Sequence, residues 1–92
     1  MVNTAWLGEQ IEPHLRPLAT ELGCQIHYSH EGRDFGDALE TAGGIARALP
    51  ELADIFWVVA GDVFMPEFTF SAQALQNFEQ GAALAHLWLV PN

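Results

Sequence analysis

Residues 55–62 read Ile55-Phe56-Trp57-Val58-Val59-Ala60-Gly61-Asp62, six apolar residues closed by a glycine and a carboxylate. The run has no polar face. Its length, with its β-branched and aromatic content, predicts a strand covered on both sides, as in a parallel sheet sandwiched by helices. Leu84 to Val90 has the same character and is read as a second such strand. Asp62 then stands just beyond the carboxyl end of a buried strand, where open α/β sheets hold their ligands. Two readings of Asp62 stay open. A carboxylate there can hold Mg²⁺, a hard ion that takes oxygen ligands and often shares them with substrate phosphates. Equally, an Asp after a Gly can cap the turn that comes next.

Upstream, Leu7, Ile11, Leu15, Leu18 and Leu22 recur at helical spacing, with Thr4 as the N-cap. Pro13 and Pro17 each remove an N–H donor and crowd the preceding turn. The expectation is a helix from about Thr4 to Glu12, a kink, and a short turn from Pro17, stopped at Gly23 by a left-handed residue. Cys24–Ser29 alternates apolar and polar, which predicts a half-buried strand near a sheet edge. His30 to Ala38, with two glycines and several charges, reads as a loop. Thr41 to Leu49 predicts a helix ended by Pro50, and Ser71 caps another that runs to about Gln80, with Gly81 as its stop. Helix and strand alternate throughout. The pattern predicts an α/β fold, Rossmann-like, with a parallel sheet, helices on both faces, and one domain over residues 1–92. Such a domain usually opens on a strand, whereas this reading opens on a helix.

The 92 residues are 50% hydrophobic and carry twelve acidic side chains against three basic ones, a formal charge of −9. That field repels nucleic-acid backbones and anionic membranes, so neither is an expected partner. The basic residues are Arg16, Arg33 and Arg47, with no lysine. Cys24 is the single cysteine. The N-terminus has no basic, then apolar, leader pattern, and the apolar runs fall short of the roughly 20 residues of a membrane span. A cytoplasmic protein is expected.

The stretch Leu39-Glu40-Thr41-Ala42-Gly43-Gly44-Ile45 starts a helix with two glycines. Each costs about 1 kcal/mol there relative to alanine, so something should compensate. Gly lets a ligand lie against the backbone while helix N–H groups meet its polar atoms. Close packing of the helix is the plainer alternative. The four histidines are scattered, and one cysteine among them suggests no zinc site. Hydrogen-bonded or solvated imidazoles are expected, and Trp6, Trp57 and Trp88 are read as core residues. No nucleophile-elbow or P-loop pattern occurs.

Taken together, Asn3-Thr4-Ala5-Trp6-Leu7-Gly8-Glu9-Gln10-Ile11, Leu39 to Ile45, Val58-Val59-Ala60-Gly61-Asp62-Val63 and Ala85-His86-Leu87-Trp88-Leu89-Val90 resemble bacterial sugar-1-phosphate nucleotidyltransferases. Within that family the chain is most similar to the N-acetylmuramate α-1-phosphate uridylyltransferases of cell-wall recycling. The resemblance implies attack of a sugar 1-phosphate on the α-phosphorus of a nucleoside triphosphate, with Mg²⁺ neutralising charge and pyrophosphate leaving. It implies that Thr41, Gly43 and Gly44 lie against the base and ribose and that Asp62 holds Mg²⁺.

The family's opening strand, its glycine-rich phosphate loop and its Pro-Lys-Pro element have no counterpart here, nor does its C-terminal sugar-binding part. By resemblance the chain is a partial domain that lacks the first two strands, and alone it is expected to be inactive. In the family's strand order, 3-2-1-4, the loss leaves the Ile55 strand with an open apolar edge, so self-association is expected. The alternative is a small non-catalytic α/β module that keeps nucleotide or Mg²⁺ affinity or acts only in protein association.

Overall fold

The computed structural model describes residues 1–91, and its regular elements begin with a strand, β1 (Val2–Thr4). Helix α1 (Gly8–Leu22) comes next and leads to strand β2 (Tyr28–His30). The two strands pair in parallel, Val2 with Tyr28, Asn3 with Ser29 and Thr4 with His30. Parallel neighbours need a crossover, and α1 is that crossover. Helix α2 (Glu31–Phe35), helix α3 (Glu40–Ala48), a 3-10 turn (Leu49–Glu51) and helix α4 (Ala72–Gln80) complete the order. Mixed helix with parallel pairing is the partial α/β class expected. None of these helices is long and apolar enough to cross a membrane. The chain divides into two compact units, Met1–Phe56 and Trp57–Asn92.

Several local expectations are corrected. The chain opens on a strand, not on a helix capped by Thr4. Thr4 ends β1 and is buried, its hydroxyl 3.2 Å from His30 Nδ1. Val2–Thr4 supplies a strand beside Tyr28–His30. The strand predicted over Cys24–Ser29 forms later, at Tyr28–His30, and Ser29 is the residue it buries.

Proline does not break α1. Pro13 and Pro17 sit four apart, on one exposed side of a continuous helix, where the carbonyls they free can meet water. Side chains brace the same stretch: His14 Nδ1 reaches the Gln10 carbonyl at 2.7 Å, Arg16 donates to Glu12 at 2.7 Å, and Thr20 donates to the Arg16 carbonyl at 3.2 Å. The helix stops as expected at Gly23, left-handed at φ 67°, with Cys24 N–H donating to the Ala19 carbonyl at 3.0 Å.

The loop expected over His30–Ala38 contains α2. Gly32 permits it, since a Cβ there would overlap the Ala5 carbonyl, and Gly36 ends it at φ 77°. In the second unit, Ser71 caps α4 as read, its Oγ accepting from Ala74 N–H at 3.2 Å.

The apolar runs 55–60 and 84–90 form no strand. A strand exists only by pairing, and among the described residues the one ladder is β1–β2. Aromatic contacts gather the two runs in its place. Trp57 meets Trp88 at 5.2 Å and Phe70 at 5.3 Å between ring centroids, and Phe68 meets Trp88 at 5.6 Å. His86 stacks on Trp88 at 4.2 Å. Trp57 is half-buried, whereas Trp6, expected in the core, is 82% exposed.

The apolar core is thin. Ala19 and Ala48 are its buried members among the described residues, and no large side chain is fully buried. A buried Leu or Phe contributes about 1.5–3 kcal/mol that an alanine does not. The first unit leans correspondingly on polar contacts. His30 Nε2 meets Glu12 on α1 at 3.1 Å while its Nδ1 meets Thr4, so one imidazole joins both strands to the crossover helix.

Candidate functional site

Thr41, Gly43 and Gly44 all fall in the first half of α3, close to its N-terminus. Thr41 is exposed, Gly43 half-buried and Gly44 buried. The helix is entered through two unusual residues. Leu39 supplies no side-chain cap, and Glu40 takes a left-handed φ of 58° that costs a non-glycine residue about 1–2 kcal/mol. The turn is held from outside by Glu31, the first residue of α2. Its carboxylate is only 4% exposed, and Oε2 accepts from Leu39 N–H at 3.0 Å.

Gly44 has a packing reason of its own. A Cβ there would lie 2.5 Å from Asn3 Nδ2 and 2.7 Å from Glu31 Oε1. A Cβ on Gly43 would meet Leu39 Cβ at 3.0 Å. The Asn3 and Glu31 atoms end flexible side chains, so a shift of Asn3 and Glu31 would relieve the crowding, and close approach is a partial reason for glycine at position 44. Thr41 lies on the exposed side of the turn.

Asp62 belongs to the second unit. It sits at the corner of a turn in which Val63 N–H donates to the Ala60 carbonyl at 3.3 Å, and its carboxylate is exposed. No group of three or more His, Cys, Asp or Glu side chains that could hold a metal forms among the described residues.

The cations are committed elsewhere. Arg16 pairs with Glu12 at 2.7 Å. Arg33 pairs with Asp34 at 2.8 Å, and Arg47 pairs with Asp34 while lying over the Phe35 ring at 4.8 Å. All three arginines of a chain without lysine thus meet carboxylates, Arg16 and Arg33 in pairs that leave them largely exposed. The imidazoles are engaged too, His27 with Glu51 at 2.5 Å, His30 with Thr4 and Glu12, His14 with a backbone carbonyl.

Sequence reasoning missed Glu31. Its signal was present, a carboxylate directly after a strand, the same signal that singled out Asp62, but the strand end was placed before it and the glycines around it read as loop.

Among curated proteins, N-acetylmuramate alpha-1-phosphate uridylyltransferase of Neisseria meningitidis serogroup B (strain ATCC BAA-335 / MC58) is 45% identical over 94 aligned residues. The alignment takes in 100% of this chain and 38% of that relative, so the chain spans well under half of the relative's length. No family model matches, and no solved structure matches. The chain is homologous along its whole length to this uridylyltransferase, as the resemblance read in the sequence implied.

The Arg33–Asp34–Arg47 cluster joins α2 to α3 and gives a pH test of how the turn is supported. Hydrogen bonds from Arg33 and then Arg47 lower the Asp34 carboxyl to about 2. An unfolded Asp titrates near about 3.9, so this contribution is present above that pH and is lost as pH falls through about 2. Asp34 is well solvated and salt screens it, so the effect is modest. The urea midpoint of the natural chain should fall more steeply between pH 4 and pH 2 than that of Asp34→Asn. Identical acid profiles would remove the cluster from the account.

Proposed function

We propose that this chain, homologous to a sugar-1-phosphate uridylyltransferase, supplies the nucleotide-facing part of an enzyme that transfers uridylyl from UTP to a sugar 1-phosphate and releases pyrophosphate. The observation that carries this is the homology over the whole of this chain, joined to a helix start at which Thr41 is exposed beside a half-buried Gly43 and a buried Gly44. Thr41, Gly43 and Gly44 lie against base and ribose in this reading. Helix N–H groups and the dipole behind them suit the polar edge of such a ligand. Asp62 contributes one oxygen to Mg²⁺, the remainder coming from phosphates and water. A cytoplasmic setting in cell-wall recycling goes with the sugar phosphate, and the charge of −9 argues against nucleic acid or anionic membrane as partners.

Phosphoryl transfer depends on positioning and charge neutralisation. The chain has no lysine and only three arginines, each near a carboxylate, so it brings little positive charge to a triphosphate. The chain in isolation is accordingly a binding module, and turnover belongs to a longer assembly. Radiolabelled UTP with N-acetylmuramate 1-phosphate should give no nucleotide sugar from the purified chain. Calorimetry should still register UTP, and a separate titration with Mg²⁺ should give a heat that Asp62→Asn removes. Product from the isolated chain would overturn the first expectation, and the absence of any UTP heat would overturn the second.

Self-association goes with the same reading. Val58 and Val59 are exposed in an apolar run that pairs with no strand among the described residues, and Leu84 is 100% exposed. Such a run is a template for another chain. Sedimentation equilibrium should show a concentration-dependent dimer or higher species, which Val58→Lys with Val59→Glu reduces. A monomer at all concentrations would end this part of the proposal.

A further inference from the structure

Glu31 is the one buried carboxylate among the described residues, and no cation pairs with it. A carboxylate kept dry without a cation is costly, and a methionine of similar volume would fill the space without that cost. What a hydrocarbon cannot do is accept hydrogen bonds. Glu31 Oε2 takes the N–H of Leu39, the residue at the N-cap position of α3. In a capping box, a glutamate within the helix reaches back to this N–H. Here α2 supplies the acceptor, eight residues away in sequence. The other oxygen, Oε1, has no hydrogen-bond partner and lies against Gly44, together with Asn3 Nδ2 from β1. One side chain thus touches both ends of the Leu39–Gly44 segment and keeps it in place across the strained Glu40.

We propose that Glu31 is a positioning residue for the α3 turn, fixing the backbone of Leu39 to Gly44 in the form that receives the nucleotide. The inference deepens the uridylyltransferase reading and rests on it for the ligand. Its physical content is preorganisation: a turn already held needs no ordering when the ligand arrives. Glu31 does not touch the nucleotide. It acts through Leu39 N–H and through the packing of Gly44.

The test compares the ¹⁵N-labelled chain with Glu31→Gln and Glu31→Ala. Amide exchange is measured without ligand, and UTP is then titrated while the Leu39, Gly43 and Gly44 amides are watched. A glutamine still presents an oxygen to Leu39 N–H, whereas alanine presents nothing. Glu31→Ala should speed Leu39 exchange several-fold and weaken UTP about tenfold, or about 1.4 kcal/mol. Glu31→Gln should stay close to the natural chain in both, and Val2 N–H, bonded to the His27 carbonyl at 2.8 Å, should keep its protection in each variant. The proposal is overturned if Leu39 exchange is unchanged in Glu31→Ala, or if Glu31→Gln fails as fully as Glu31→Ala. Should Glu31→Ala lose protection everywhere, Glu31→Gln decides alone: Leu39 protection retained supports the positioning role, and its loss overturns it. A natural chain whose α3 amides ignore UTP would sink the nucleotide reading, and the Leu39 exchange rates would still decide whether Glu31 holds the turn.

Discussion

The parallel pairing of Val2–Thr4 with Tyr28–His30 is the contact on which the first unit hangs. Parallel strands do not form a hairpin, so this pairing requires the whole of α1 to run between them and return the chain to the same end. His30 then secures the arrangement by meeting Thr4 on the neighbouring strand and Glu12 on the crossover helix. The second strand also places the segment beyond it. Glu31 comes immediately after His30, and its buried carboxylate fixes where the chain must lie eight residues later. The α3 turn is where it is because a strand of three residues ends where it does.

Polar contacts carry an unusual share of this unit, because its buried apolar side chains are alanines. Their cooperation is geometric more than energetic. Arg47 and Arg33 converge on Asp34, Glu31 joins α2 to α3, and Asn3 reaches from β1 to Gly44. The arrangement uses all of the chain's arginines internally. The chain spans 38% of the uridylyltransferase it matches.

Legibility tracked the range of the physics. Ser71 as a cap, Gly23 as a left-handed stop and the extent of α3 were readable, since each is decided by a few neighbouring residues. Pro13 and Pro17 misled because their effect depends on which face they occupy, and a spacing of four puts both on the exposed one. The run Ile55–Ala60 misled for a different reason. Apolar content gives a segment the capacity to be a strand, but only a partner with free N–H and C=O groups makes it one, and the described residues offer none there. β1 was too short for any periodicity to reveal. At the candidate site, the glycine pair was visible as an anomaly of composition. The approach of Asn3 and Glu31 to Gly44 could be seen only once β1, α2 and α3 had been brought together.

The central claim is that these residues build the nucleotide-facing turn of a uridylyltransferase. The most direct measurement replaces the matching stretch of the longer relative with this chain and monitors pyrophosphate release from UTP and N-acetylmuramate 1-phosphate. The account predicts an active chimera whose KM for UTP stays near that of the parent. A chimera that folds as the parent does, yet neither binds UTP nor releases pyrophosphate, would contradict it.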